Sequence, residues 1–110
     1  KSAHCVVRVG FFFVYEARMK LSEYRQAIDD IDDQLLDLLN QRARLAIKIG
    51  QEKFDHRIAV AASGREDEIY KRLCEKNRGP LREQHVREVF AAIMSTSKNL
   101  QHLYQSFQDV

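Results

Sequence analysis

From Leu21 to Ile49 the apolar residues keep to one seam at steps of three and four, with a single interruption. Leu21, Tyr24, Ile28, Ile31, Leu35 and Leu38 set the rhythm, and Leu45 and Ile49 resume it. That spacing dictates a long amphipathic helix, because residues three and four apart share a helical face. The interruption is Arg42. A guanidinium on an apolar face costs several kcal/mol to desolvate unless something polar or anionic meets it, so Arg42 calls for a partner, either another side chain or a bound anion.

The helical period runs on to Phe107, no alternating strand pattern occurs, and the fold class expected is all-α, with three helices and one of them very long. The first spans about Met19 to about Phe54, with acids (Asp29, Asp30, Asp32, Asp33) in its first half, at the positive end of the helix dipole. Ala43, Ala46 and Gly50 form a small-residue strip that lets another helix approach closely. Ser63-Gly64-Arg65-Glu66 reads as a capping box opening a second helix, which Asn77-Arg78-Gly79-Pro80 ends, glycine supplying the left-handed cap. A third follows from about Leu81 to Tyr104 or beyond, with Val86, Phe90, Ile93, Ser97, Leu100, Tyr104 and Phe107 on its seam.

At 110 residues the chain holds one domain at most. Residues 1–18 read as an extension of uncertain order and origin, with Met19 a natural start, and residues 19–110 as the folded domain. The apolar run Val9–Tyr15 is too short to span a bilayer and makes a poor signal peptide. Residues 19–110 carry fifteen basic and fifteen acidic side chains, so composition gives no case for a nucleic-acid partner, and none for a membrane. Two cysteines, Cys5 and Cys74, indicate no disulfide framework and suit a reducing, cytoplasmic setting.

A first helix of this length reaches roughly 50 Å at 1.5 Å per residue, whereas a compact domain of this size is only about 30 Å across. Most of it overhangs, and a second copy is the simplest cover. The expectation is an intertwined antiparallel homodimer.

Polar residues recur on the seams. Lys53 lies eleven residues after Arg42, which returns it to within roughly 20° of the same face. Ser97 and Gln101 are an i,i+4 polar pair on the third helix, and Glu66 lies beside Ile69, Tyr70 and Leu73 on the second. Each has a plain structural explanation: an internal ion pair for Arg42, snorkelling for Lys53, back-bonding for Ser97, a register role for Gln101 and the capping box for Glu66. Together they suggest a pocket for a polyanion that also carries a hydroxyl. Arg25 lies about 25 Å from Arg42 along the axis, too far to join it in one chain, but an antiparallel partner could present it.

The run Tyr24-Arg25-x-x-Ile28-x-x-Ile31-Asp32-x-x-Leu35-Leu36-x-Leu38-Leu39-x-x-Arg42, followed by Gly50-x-x-Lys53, Arg65-Glu66, Gly79-Pro80-Leu81, Phe90 and Ser97-x-x-x-Gln101, resembles the all-helical (AroQ-type) chorismate mutases over residues 21–105. The resemblance implies an intertwined helical dimer that rearranges chorismate to prephenate in phenylalanine and tyrosine biosynthesis, with neither cofactor nor metal. By matching positions, Arg42 and Arg25 of the partner subunit clamp the carboxylates and Ser97 helps hold the substrate. Lys53 and Gln101 meet the ether oxygen and Glu66 the substrate hydroxyl; Gln101, a neutral amide, keeps this role near neutral pH, and Arg65 is a support residue. The family often has an aspartate where this chain has Ala62, whose backbone N–H is left to serve the hydroxyl. Two alternatives stay open: an isochorismate pyruvate lyase on the same scaffold, and a non-catalytic helical dimerisation or regulatory module. The domain is expected either free-standing or fused to prephenate dehydratase, prephenate dehydrogenase or a synthase.

Overall fold

A computed structural model of the chain describes residues 20–60 and 64–108. Within them lie three helices, α1 (Leu21–Asp55), α2 (Arg65–Lys76) and α3 (Glu83–Gln108), and no strand. None of these helices is long and apolar enough to cross a membrane. The N-terminal segment through Arg18 and Phe107's side chain lie outside the described residues.

The chain divides into two compact units, Lys1–Asn40 and Gln41–Val110. In the first, α1 starts with Glu23 Oε1 accepting the Lys20 backbone N–H at 2.9 Å, one half of a capping box. Its apolar seam is bare: Ile28 is 55%, Ile31 53%, Leu35 50% and Leu38 58% exposed. An apolar stripe on a surface helix ordinarily packs against another element, and no described residue buries this one.

In the second unit the buried apolar residues are Ala46 of α1, Val60, Ile69 of α2, and Val86 and Met94 of α3. The small-residue strip does what its composition suggests. Gly50 is buried, and a Cβ there would stand 3.1 Å from Cα, Cβ and Cγ of Gln101. Alpha-helix α3 therefore approaches α1 as closely as a glycine allows.

The end of α1 is built by its backbone. Ile58 N–H donates to Lys53 O at 2.7 Å and Arg57 N–H to Phe54 O at 3.1 Å, the paired bonds of a Schellman motif. The left-handed residue in it is Arg57, at φ 56.

Two expectations are corrected. Alpha-helix α2 is not opened by a capping box: its N-cap is Gly64, at φ 93, with no side-chain cap bond. Ser63 lies outside the described residues. The left-handed glycine after α2 is not the cap either. Asn77 caps in an extended conformation, and Gly79, at φ 77, sits two residues further on. There Asn77 Oδ1 accepts the Gly79 N–H at 3.0 Å and Asn77 Nδ2 donates to Leu81 O at 2.7 Å. With the loop folded this way, α3 begins at Glu83, two residues later than the pattern indicates.

A side chain in the left-handed region is strained by about 1–2 kcal/mol, less the entropy a glycine loses on folding. Arg57→Gly should raise stability by about 0.5–1 kcal/mol and the melting temperature by a few degrees. A lower melting temperature would show that the Arg57 side chain makes a compensating contact.

Candidate active site

The first turn of α2, the C-terminal half of α1 and the middle of α3 enclose a cavity of about 290 Å³, near the small end of the range for small-molecule sites. Its floor is apolar, with Ala46, Ile49, Ile69 and Met94, and its polar groups are Arg42, Lys53, Arg65, Glu66, Ser97, Lys98 and Gln101.

Arg42 meets Ser97: its Nη1 donates to Ser97 Oγ. The hydroxyl in turn donates to Ile93 O one turn earlier, at 3.2 Å. Back-bonding thus aims the serine oxygen at the guanidinium, and the hydroxyl proton is committed to a carbonyl. Lys53 is held at both ends. Its carbonyl accepts in the Schellman motif, and its Nζ donates to Val60 O at 2.7 Å. Arg42 and Lys53 are both half-buried and both bonded to neutral partners.

The other two cations are different. Arg65 Nη1 turns along its own helix to Glu68 Oε1 at 3.4 Å, and Lys98 Nζ reaches Glu66 Oε2 at 2.9 Å. Four cations therefore line the cavity, two paired with carboxylates and two, Arg42 and Lys53, in no salt bridge among the described residues. Two positive charges in the cavity are thus met by neutral groups. Gln101 completes the wall. It is 7% exposed, and its Oε1 is buried without a hydrogen-bond partner. An orphaned buried acceptor costs about 1–3 kcal/mol.

The sequence pattern of the family described as chorismate mutase type II matches residues 24–102, a span that includes every one of these groups. The chain belongs to the chorismate mutase type II family. It is 33% identical over 93 residues to a bifunctional chorismate mutase/prephenate dehydratase of Aquifex aeolicus, covering 77% of this chain and 26% of that protein. A protein of the same description from Neisseria gonorrhoeae is 40% identical over 75 residues, covering 68% of this chain and 20% of that one. A third, from Stutzerimonas stutzeri, is 30% identical over 82 residues, covering 70% and 22% respectively. The chain spans about a quarter or less of the length of these relatives.

In this chorismate mutase type II chain, five residues singled out from sequence line one cavity: Arg42, Lys53, Glu66, Ser97 and Gln101. Arg25 does not line it and is exposed on the first part of α1. Ala62 lies outside the described residues. Glu66 is not engaged by a cap, since the helix starts on Gly64; it points across to α3. Lys98 was not legible as a site residue. It sits about 100° round α3 from Ser97, where a lysine reads as a solvated flank. Its length carries the ammonium inward.

Gly50 positions Gln101 from behind. Alanine favours a helix interior by about 1 kcal/mol over glycine, so in a free helix Gly50→Ala is stabilising. Here the added carbon must push α3 back by a few tenths of an ångström, and overpacking costs about 1–3 kcal/mol. Urea denaturation should show Gly50→Ala no more stable than the parent, and up to about 2 kcal/mol less stable. A clear gain in stability would mean that α3 does not close on Gly50.

Proposed function

We propose that this chain is a chorismate mutase, converting chorismate to prephenate by electrostatic restraint, in a homodimer whose two sites each borrow Arg25 from the other subunit. The observation that carries the reading is the pair of cations tied only to neutral groups, Arg42 to Ser97 Oγ and Lys53 to Val60 O, beside the orphaned Gln101 amide. Chorismate supplies what the two cations lack, a pair of carboxylates. Family membership and the naming of the relatives as chorismate mutase/prephenate dehydratases support the same substrate.

The rearrangement breaks one C–O bond as it forms one C–C bond, through a six-membered ring, with no proton or group exchanged. It needs no nucleophile, and Ser97 is not placed to be one, its proton being given to Ile93 O. It needs the substrate folded into its reactive shape and the charge gathering on the ether oxygen stabilised. Arg42, with Arg25 of the partner subunit, fixes the carboxylates, which converts binding energy into the reactive conformation. Lys53 and Gln101 donate to the ether oxygen, where preorganised donors act on the transition state more than on the substrate. On this reading the donor is Gln101 Nε2, the atom of the amide other than the buried, unpartnered Oε1. Glu66 accepts the substrate hydroxyl, and the backbone at Ala62 serves the same group.

The bare seam of α1 supports the dimer, and charge supports its antiparallel sense. Residues 21–40 carry six acids and one base, while residues 41–55 carry four bases and two acids. Antiparallel copies of α1 set the acidic half of one against the basic half of the other. The same reading places the protein in the cytoplasm, where aromatic amino acid precursors are made.

Incubation with chorismate, followed by chromatography, should yield prephenate. Salicylate and pyruvate from isochorismate, with no prephenate from chorismate, would favour the lyase instead, and no turnover of either would favour a non-catalytic module. The assay also reads the shared site. Arg25→Ala and Lys53→Ala chains, each inactive alone, should recover about one quarter of the activity when co-expressed, because half the dimers are mixed and each has one intact site. No recovery would put Arg25 in its own subunit's site, and an active Arg25→Ala chain would put it in neither.

A further inference from the structure

Consecutive residues of α3 hold the two kinds of charged group in the cavity. Ser97 accepts from Arg42 of α1, and Lys98 bonds Glu66 of α2 at 2.9 Å. Glu66 is the one carboxylate among the described residues that line the cavity. It shares that space with Arg42 and Lys53, which are bonded to neutral groups, Ser97 Oγ and Val60 O. A carboxylate on a neighbouring helix is a tethered competitor for those cations, present at an effective concentration in the millimolar range or higher.

We infer that Lys98 is a positioning residue: it holds Glu66 away from Arg42 and Lys53 and so keeps the cavity open to a small dicarboxylate. The inference rests on the dianion reading of the cavity above. The pair joins side chains 32 residues apart on different helices, so it is not a local helix contact of the i,i+4 kind. Its groups are 41% and 45% exposed, a setting in which an ion pair adds little to stability. Removing Lys98 should therefore leave the fold in place and act on binding. Lys98 also fixes which Glu66 oxygen is free: with Oε2 engaged, Oε1 remains to accept a ligand hydroxyl.

The test is titration calorimetry of the full chain with prephenate, itself a dicarboxylate, alongside steady-state kinetics on chorismate. Lys98→Met should weaken prephenate binding and raise KM by roughly threefold to tenfold, with a smaller change in kcat. Lys98→Arg, which keeps the pair, should stay within about twofold of the parent. The deciding variant is Lys98→Met combined with Glu66→Gln. A neutral amide does not compete for the cations, so the double variant should bind prephenate more tightly than Lys98→Met alone, whatever becomes of kcat. If Lys98 merely added a cation or supported the fold, removing the Glu66 charge would restore nothing. Unchanged binding in Lys98→Met, or a double variant no tighter than it, overturns the inference. A chain that binds prephenate but does not convert chorismate overturns the mutase reading and leaves Lys98 to be judged by the binding ratios. A chain that neither binds prephenate nor converts chorismate overturns both.

Discussion

The contact of Gly50 with Gln101 is the constraint from which the rest of the site follows. With only a hydrogen on Gly50, α1 and α3 come so close there that a single added carbon would stand 3.1 Å from Gln101 and force it back by a few tenths of an ångström. That closeness brings Ser97 within reach of Arg42 and buries the Gln101 amide. From the same stretch of α3, Lys98 crosses to Glu66 on α2. A bulkier strip on α1 would separate the helices, and the polar groups would meet water instead of one another.

Neutral partners are what give the cavity its chemistry. A carboxylate opposite Arg42 would satisfy the guanidinium and cancel its charge. A hydroxyl orients it and leaves the charge available, as Val60 O does for Lys53. The two groups are thus fixed before a ligand arrives, so little reorganisation remains when one binds. Where the cavity has cations that should not act, they are paired with acids, Arg65 with Glu68 and Lys98 with Glu66.

Much of this is legible in the sequence because it depends on helical period. Arg42 and Lys53 share a face by arithmetic, Ser97 and Gln101 are one turn apart, and Ala46 and Gly50 announce a close approach. What period cannot show is the backbone between helices and the reach of long side chains. The Schellman turn with Arg57 in the left-handed region, the Val60 carbonyl that receives Lys53, and the glycine start of α2 are set by how the α1–α2 connection folds. The plain alternative for Glu66, a local cap, fails for that reason, and its carboxylate meets a residue 32 positions away instead. The bare seam on the first part of α1 is the opposite case, plain in the pattern and uncovered within the described residues.

Arg42 decides whether a cation set into an apolar seam is kept there for a ligand or for the fold. The measurement is turnover of chorismate by Arg42→Leu, made together with its melting temperature and its sedimentation mass. Leucine restores the seam, so melting temperature and mass should hold or rise, while turnover should fall by roughly 10²–10³-fold or more, as when a preorganised donor is removed. Turnover kept within about twofold of the parent, with the protein folded, would contradict the account.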